Sequence, residues 1–150
     1  MHKYFSSTIV KQLFSFSFIF MLSSCDFSRG FEKDYYEKVT SIKFPESYDL
    51  VAAADNGEYL TIAILDFDRI TCKRFIQKNN FYSVDKRLFK RFKLSGLTLL
   101  DSAYQKQPDI QNIMITGVSK FYGKVGWTYV IDTVACRLYC QIDYPDYGGN

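Results

Sequence analysis

The sequence predicts an α+β domain: an antiparallel sheet of about five strands, built from an N-terminal hairpin and a C-terminal three-strand meander, with two or three helices packed on it. Three observations lead there. Asn56-Gly57 separates two strand-like runs, 48–54 and 58–67, and a tight hairpin turn favours these residues because both central positions take positive φ. Three more strand-like runs, at 112–120, 126–132 and 136–144, are joined by connections short enough to imply antiparallel neighbours. Between hairpin and meander, Asp68 precedes a helical repeat that reads as running to about residue 79.

Taken in order, the elements follow from local pattern. Residues 31–39 read as a helix with Phe31, Tyr35 and Val39 on one stripe, and Pro45 limits its continuation. In 58–67, Leu60, Ile62 and Ile64 share a face and Thr61 and Ala63 share the other, so one side is expected to be core. The helix after Asp68 puts Cys72, Phe75, Ile76 and Asn79 inward and Lys73, Arg74 and Lys78 outward. Residues 85–93 pattern as a helix with Leu88, Phe89 and Phe92 on one side, and 97–104, after Gly96, as another short one. In the meander, Trp127, Tyr129 and Ile131 share a face. Such aromatics are expected to pack beneath helices; on an uncovered sheet, Tyr129 and Tyr139 would suit a protein or glycan contact.

Ahead of this domain the chain has a different character. His2, Lys3 and Lys11 accompany an apolar run from Leu13 to Leu22, followed by Ser23, Ser24 and Cys25. A positive end, an apolar middle and small residues are the three parts of a secretory signal peptide. The uncharged stretch from Gln12 to Cys25 is shorter than the roughly 20 residues of a spanning helix.

Leu22-Ser23-Ser24-Cys25 resembles the lipobox of bacterial lipoproteins, an aliphatic residue, two small residues and a Cys. The resemblance covers residues 1–25. It implies that residues 1–24 are removed, that Cys25 carries the lipid, and that the protein is held at the cell envelope. Two or three acyl chains hold stably where one does not, since each buried methylene contributes about 0.8 kcal/mol. Residues 25–31 then form the lipidated Cys and a tether, and 32–150 one α+β domain. The resemblance implies anchoring on the periplasmic or external side, and the choice between inner and outer membrane stays open.

Processing sharpens the composition. Loss of Lys3 and Lys11 takes the 19 basic residues to 17 against 16 acidic, and loss of His2 removes the only His. Ser-His-Asp and Cys-His nucleophile pairs, HExxH zinc sites and His general bases are thereby excluded from the mature chain. Its cysteines besides Cys25 are Cys72, Cys136 and Cys140. With no His and no paired CxxC, neither a metal nor a cofactor is expected. On one strand, Cys136 and Cys140 are about 13 Å apart, beyond disulfide reach. The three thiols read as small buried hydrophobes, with a bridge from Cys72 to Cys136 or Cys140 as the open alternative.

The acidic residues are scattered. Asp66 and Asp68 read as helix caps at a strand end, and Asp143 and Asp146 as turn formers around Pro145. No catalytic residue is singled out. The densest local charge is Lys86, Arg87, Lys90, Arg91 and Lys93, interleaved with Leu88, Phe89 and Phe92. Three readings stand: a helix whose cations face water, a surface for an acidic protein partner, or a contact with lipid headgroups. Nucleic acid is not an expected partner of an anchored envelope domain. The expectation is a lipid-anchored, non-catalytic binding or accessory module for another envelope or secreted protein, with immunity to a secreted toxin and membership of an assembly complex as the two forms it could take. A carboxylate-dependent enzyme on envelope material and a small-ligand or lipid carrier are the alternatives.

Overall fold

The computed structural model describes residues 31–84, 93–118 and 124–144. Helix α1 (Lys33–Thr40) leads into β1 (Asp49–Asp55), β2 (Leu60–Asp66) and helix α2 (Arg69–Lys78). A short β3 (Tyr82–Ser83), two 3-10 turns (Ser95–Leu99 and Ser102–Tyr104), and β4 (Ile113–Val118), β5 (Gly126–Asp132) and β6 (Arg137–Asp143) follow. The strands form one antiparallel six-stranded sheet, in the order β1-β2-β6-β5-β4-β3. The fold is α+β, with one strand more than expected. The extra strand is β3, two exposed residues too short to leave an alternating pattern.

The sheet buries both faces, which alters the expectation for β2. Leu60 through Leu65 are all buried. Ala63 and Leu65 join Tyr129, Ile131, Leu138, Cys140 and Ile142 beneath α1 and α2. Ile62 and Ile64 join Ile113, Ile115, Val130 and Tyr139 beneath the 3-10 segment. A strand covered on two sides loses the apolar-polar alternation that a half-buried strand keeps.

On the first face, α1 buries Tyr36 and Thr40, one residue away from the expected Phe31-Tyr35-Val39 stripe. Hydrogen bonds account for the rotation. The Tyr36 hydroxyl meets Thr61 Oγ1 at 3.0 Å, and Thr40 Oγ1 donates to the Tyr36 carbonyl at 2.8 Å and meets the Tyr129 hydroxyl at 3.3 Å. Phe31 still packs on the rings of Tyr36, Phe44 and Tyr48, and Tyr35 and Val39 are half-buried against the same core, so the expected stripe flanks the buried one. Helix α2 begins as expected, with Asp68 Oδ1 accepting from the Ile70 and Thr71 N–H groups at 2.8 and 3.0 Å. It buries Cys72 and Phe75 and ends at Asn79, whose side chain donates to the Phe75 carbonyl.

On the second face, the expected short helix over 97–104 is two 3-10 turns. Leu94, Leu97 and Leu100 are all buried, and a three-residue repeat matches the 3-10 period. Gly96 allows the segment to approach the sheet. A Cβ there would lie 2.8 Å from the Ile62 Cβ, and the Gly96 N–H donates to Gln141 Oε1 at 2.9 Å.

The connections also differ in detail. The β1–β2 loop has four residues, Asn56 to Tyr59, and only Gly57 has positive φ. The turn is closed by side chains: Asp55 Oδ1 accepts from the Gly57 N–H, and Asn56 Oδ1 accepts from the N–H groups of Glu58, Tyr59 and Leu60. The β5–β6 turn repeats the device, with Asp132 Oδ1 accepting from the Val134 and Ala135 N–H groups. Cys136, expected on strand β6, closes that turn at φ 55°.

Candidate functional site

The residues singled out from sequence are scattered over the molecule. Cys25 and the basic residues Lys86, Arg87, Lys90 and Arg91 lie outside the described residues, as does Asp146. Lys93 is exposed, beside buried Leu94. Cys72, Cys136 and Cys140 are buried free thiols of the helix-covered core. Cys72 lies against Cys136, and burial together with that neighbour pushes the Cys72 thiol up to about 12. Full burial also raises Cys140, which packs beside Tyr129.

The carboxylates are committed to separate structural tasks. Asp66, expected to help cap α2, instead holds Arg137 in a two-pronged pair, with both N···O distances 2.7 Å. The reason is register: Asp66 stands opposite Arg137 across β2 and β6. Asp68 alone caps the helix, and its bonds to Thr71 and Ile70 hold its carboxyl below the ordinary value. Asp143 accepts from Gln141 Nε2 at 3.1 and 3.2 Å. Asp143 stands opposite Leu60, at the other end of the strand pair from Asp66. Six residues of strand put the two about 20 Å apart, well beyond the spacing of a carboxylate pair acting on one bond.

The aromatic face is covered. Tyr129 is fully buried, which removes it from the surface contact considered for it, and Tyr139 keeps only 7% of its surface exposed. Burial pushes the phenols of Tyr36 and Tyr129 far above their ordinary value. Trp127 packs at the edge of this cluster, its ring 5.3 Å from that of Tyr129.

The clearest concentration of accessible chemistry is a cleft of about 400 Å³ between the segment after α1 and the outer face of α2. Its floor is Phe44 and Phe75, and its rim carries Lys43, Arg74 and Lys78 with Glu46. The three cations are exposed, whereas both rings are buried. Lys43 is also tied to Glu37, its Nζ 2.7 Å from Oε2. That bond and the Phe44 N–H hold the Glu37 carboxyl below its ordinary value. The outward direction of Arg74 and Lys78 was readable from helical spacing. Lys43 was not, because only the path of the chain after Ser41 brings it alongside.

A second cleft of about 290 Å³ lies over the other face, with Tyr104, Lys106, Asp132, Arg137 and Tyr139 in its lining. Both clefts are open and mix charged with apolar groups. Among the described residues there is no group of three metal-ligating side chains, and no helix is long and apolar enough to cross a membrane. The chain matches no protein-family model, no curated protein and no solved structure.

Proposed function

We propose that this chain is a lipid-anchored envelope lipoprotein that acts as a non-catalytic binding or accessory module for another envelope or secreted protein. One observation supports the binding reading: Asp66, Asp68 and Asp143, the described carboxylates that the sequence offered for catalysis, are engaged in structure, while the cationic cleft stays accessible. Asp66 pairs with Arg137, Asp68 caps α2, Asp143 meets Gln141, and the raised phenols and thiols lie in the core. A rim of Lys43, Arg74 and Lys78 over an aromatic floor suits an acidic protein surface, where opposite charge speeds encounter. The anchor reading rests on Leu22-Ser23-Ser24-Cys25.

Crosslinking and affinity capture from intact cells of the native host test the binding reading. A specific co-purified protein, reduced by R74E/K78E, is the expected outcome. A retained lipid or glycan with no specific protein would favour a carrier or an enzyme instead. For the anchor, metabolic labelling with a fatty acid is expected to disappear in Cys25→Ala; persistent labelling overturns the lipobox reading.

A further inference from the structure

We propose that the free edge of β1 is a second docking surface, which adds an extended strand with basic ends from the partner to the sheet. β1 is the first strand in the sheet order, and no described strand pairs with its outer edge. Its seven residues run Asp49-Leu50-Val51-Ala52-Ala53-Ala54-Asp55, with an apolar centre and neither Lys nor Pro to blunt the edge. The Asn56 N–H bonds to the Leu60 carbonyl, and strand alternation from that bond turns the N–H and C=O groups of Ala53 and Asp55 outward. The register shift lies between Leu50 and Ala52, so the stretch from Ala52 to Asp55 pairs regularly.

Two features say what the edge accepts. A groove of about 330 Å³ runs along it, with Val51, Ala52, Leu100 and Tyr104 among its walls and Asp101 on its lining. A trough with aliphatic side chains, exposed backbone polar groups and a carboxylate suits a Lys or Arg side chain, whose stem packs while its charge meets the acid. Asp49 and Asp55 bracket the strand. Pairing with a second copy would set these acidic ends beside acidic ends, and like charges across a strand pair are unfavourable. A strand with an apolar centre and cationic ends complements all three carboxylates. Backbone bonds supply the affinity and the end charges the selection.

The inference rests on the binding-module reading, and the test separates the two. Full-length protein in detergent micelles, labelled with ¹⁵N, is titrated with three terminally blocked peptides. They are Lys-Lys-Val-Thr-Val-Thr-Lys-Lys, the counterpart with Glu at all four Lys positions, and a same-composition peptide with the four Lys in the middle. The first is expected to bind at least ten-fold more tightly than the others, with amide shifts concentrated at Ala53 and Asp55. The exposed pair D49K/D101K is expected to reverse the preference towards the Glu peptide. Equal binding of the first and third peptides, shifts centred elsewhere, no binding at millimolar peptide, or self-association through β1 each overturn it. A host protein captured equally well by wild type and D49K/D101K overturns edge docking and leaves the binding module standing. Peptide binding at β1 with no host protein captured does the reverse.

Discussion

The two faces of the sheet are closed by different physics. Under α1 and α2 the core is aromatic, with Tyr36, Phe44, Phe67, Phe75 and Tyr129 packed together, the Tyr36 hydroxyl bonded to Thr61 and the Tyr129 hydroxyl to Thr40. Under the 3-10 segment it is mainly aliphatic, with Tyr139 as its buried ring, and Gln141 is a polar fastening. Its Oε1 accepts from the Gly96 N–H while its Nε2 donates to Ser95 and Asp143. A helix presents a broad stripe and tolerates large rings. A 3-10 turn presents a leucine every third residue and must come close, which is why a glycine stands at its contact with Ile62. Large rings thus bear the helical face, and close approach bears the other.

That contrast sets a graded series of tests. The largest expected loss is on the aromatic face: Phe75→Ala removes a ring packed on Phe44, Phe67 and Phe81 and should cost about 3–5 kcal/mol in urea unfolding. A loss below about 1 kcal/mol would show that this face does not depend on its rings.

High pH should act on the same face. Unfolded phenols ionise near pH 10, whereas Tyr36 and Tyr129 are held neutral far above that by burial. Their stabilisation is therefore complete below about pH 10 and is lost as pH rises beyond it. The expected loss for each phenol is about 0.4 kcal/mol from pH 9 to 10 and about 1 kcal/mol from pH 10 to 11, approaching about 1.4 kcal/mol per pH unit above that, read from urea midpoints at pH 9, 10 and 11. Tyr129→Phe should remove its own share of that loss and leave the shares of Tyr36 and of Tyr139, whose phenol burial also raises. Cys72, raised to about 12, adds its own loss as pH climbs from 9 through 12.

On the aliphatic face, Gly96→Ala forces a methyl against the Ile62 Cβ and should cost about 1–3 kcal/mol. A neutral result would mean that the 3-10 segment has room to retreat. The smallest effect belongs to the pair between the faces and solvent. Asp66 and Arg137 are each about one-third exposed, so Asp66→Asn should cost about 0.5–1 kcal/mol and less in high salt. A salt-independent loss would point to a buried role instead.

Legibility from sequence followed the range of the interaction. Asp68 as helix cap, Cys72 and Phe75 as inward positions, and the antiparallel meander were all readable, because each depends on residues a few positions apart. The 3-10 turns were misread as one helix, although Leu94, Leu97 and Leu100 carried the three-residue period. The role of Asp66 was hidden, because its partner Arg137 lies 71 residues away. The cationic cleft was half visible: α2 announced Arg74 and Lys78, while Lys43 joins them only through the path of the chain.

By itself the sequence determined the class of the fold, the kinds and order of most elements, and the absence of His from residues 3–150. These are local or compositional properties, and no packing is needed to express them. The expectation of a lipid anchor is of the same kind, resting on four adjacent residues. Tertiary structure alone decided that both sheet faces are buried, that the carboxylates stand apart, that Lys43 meets α2, and that β1 is left at the edge. Each of these depends on which strand lies beside which, and pairing between distant segments is decided when the whole sheet assembles.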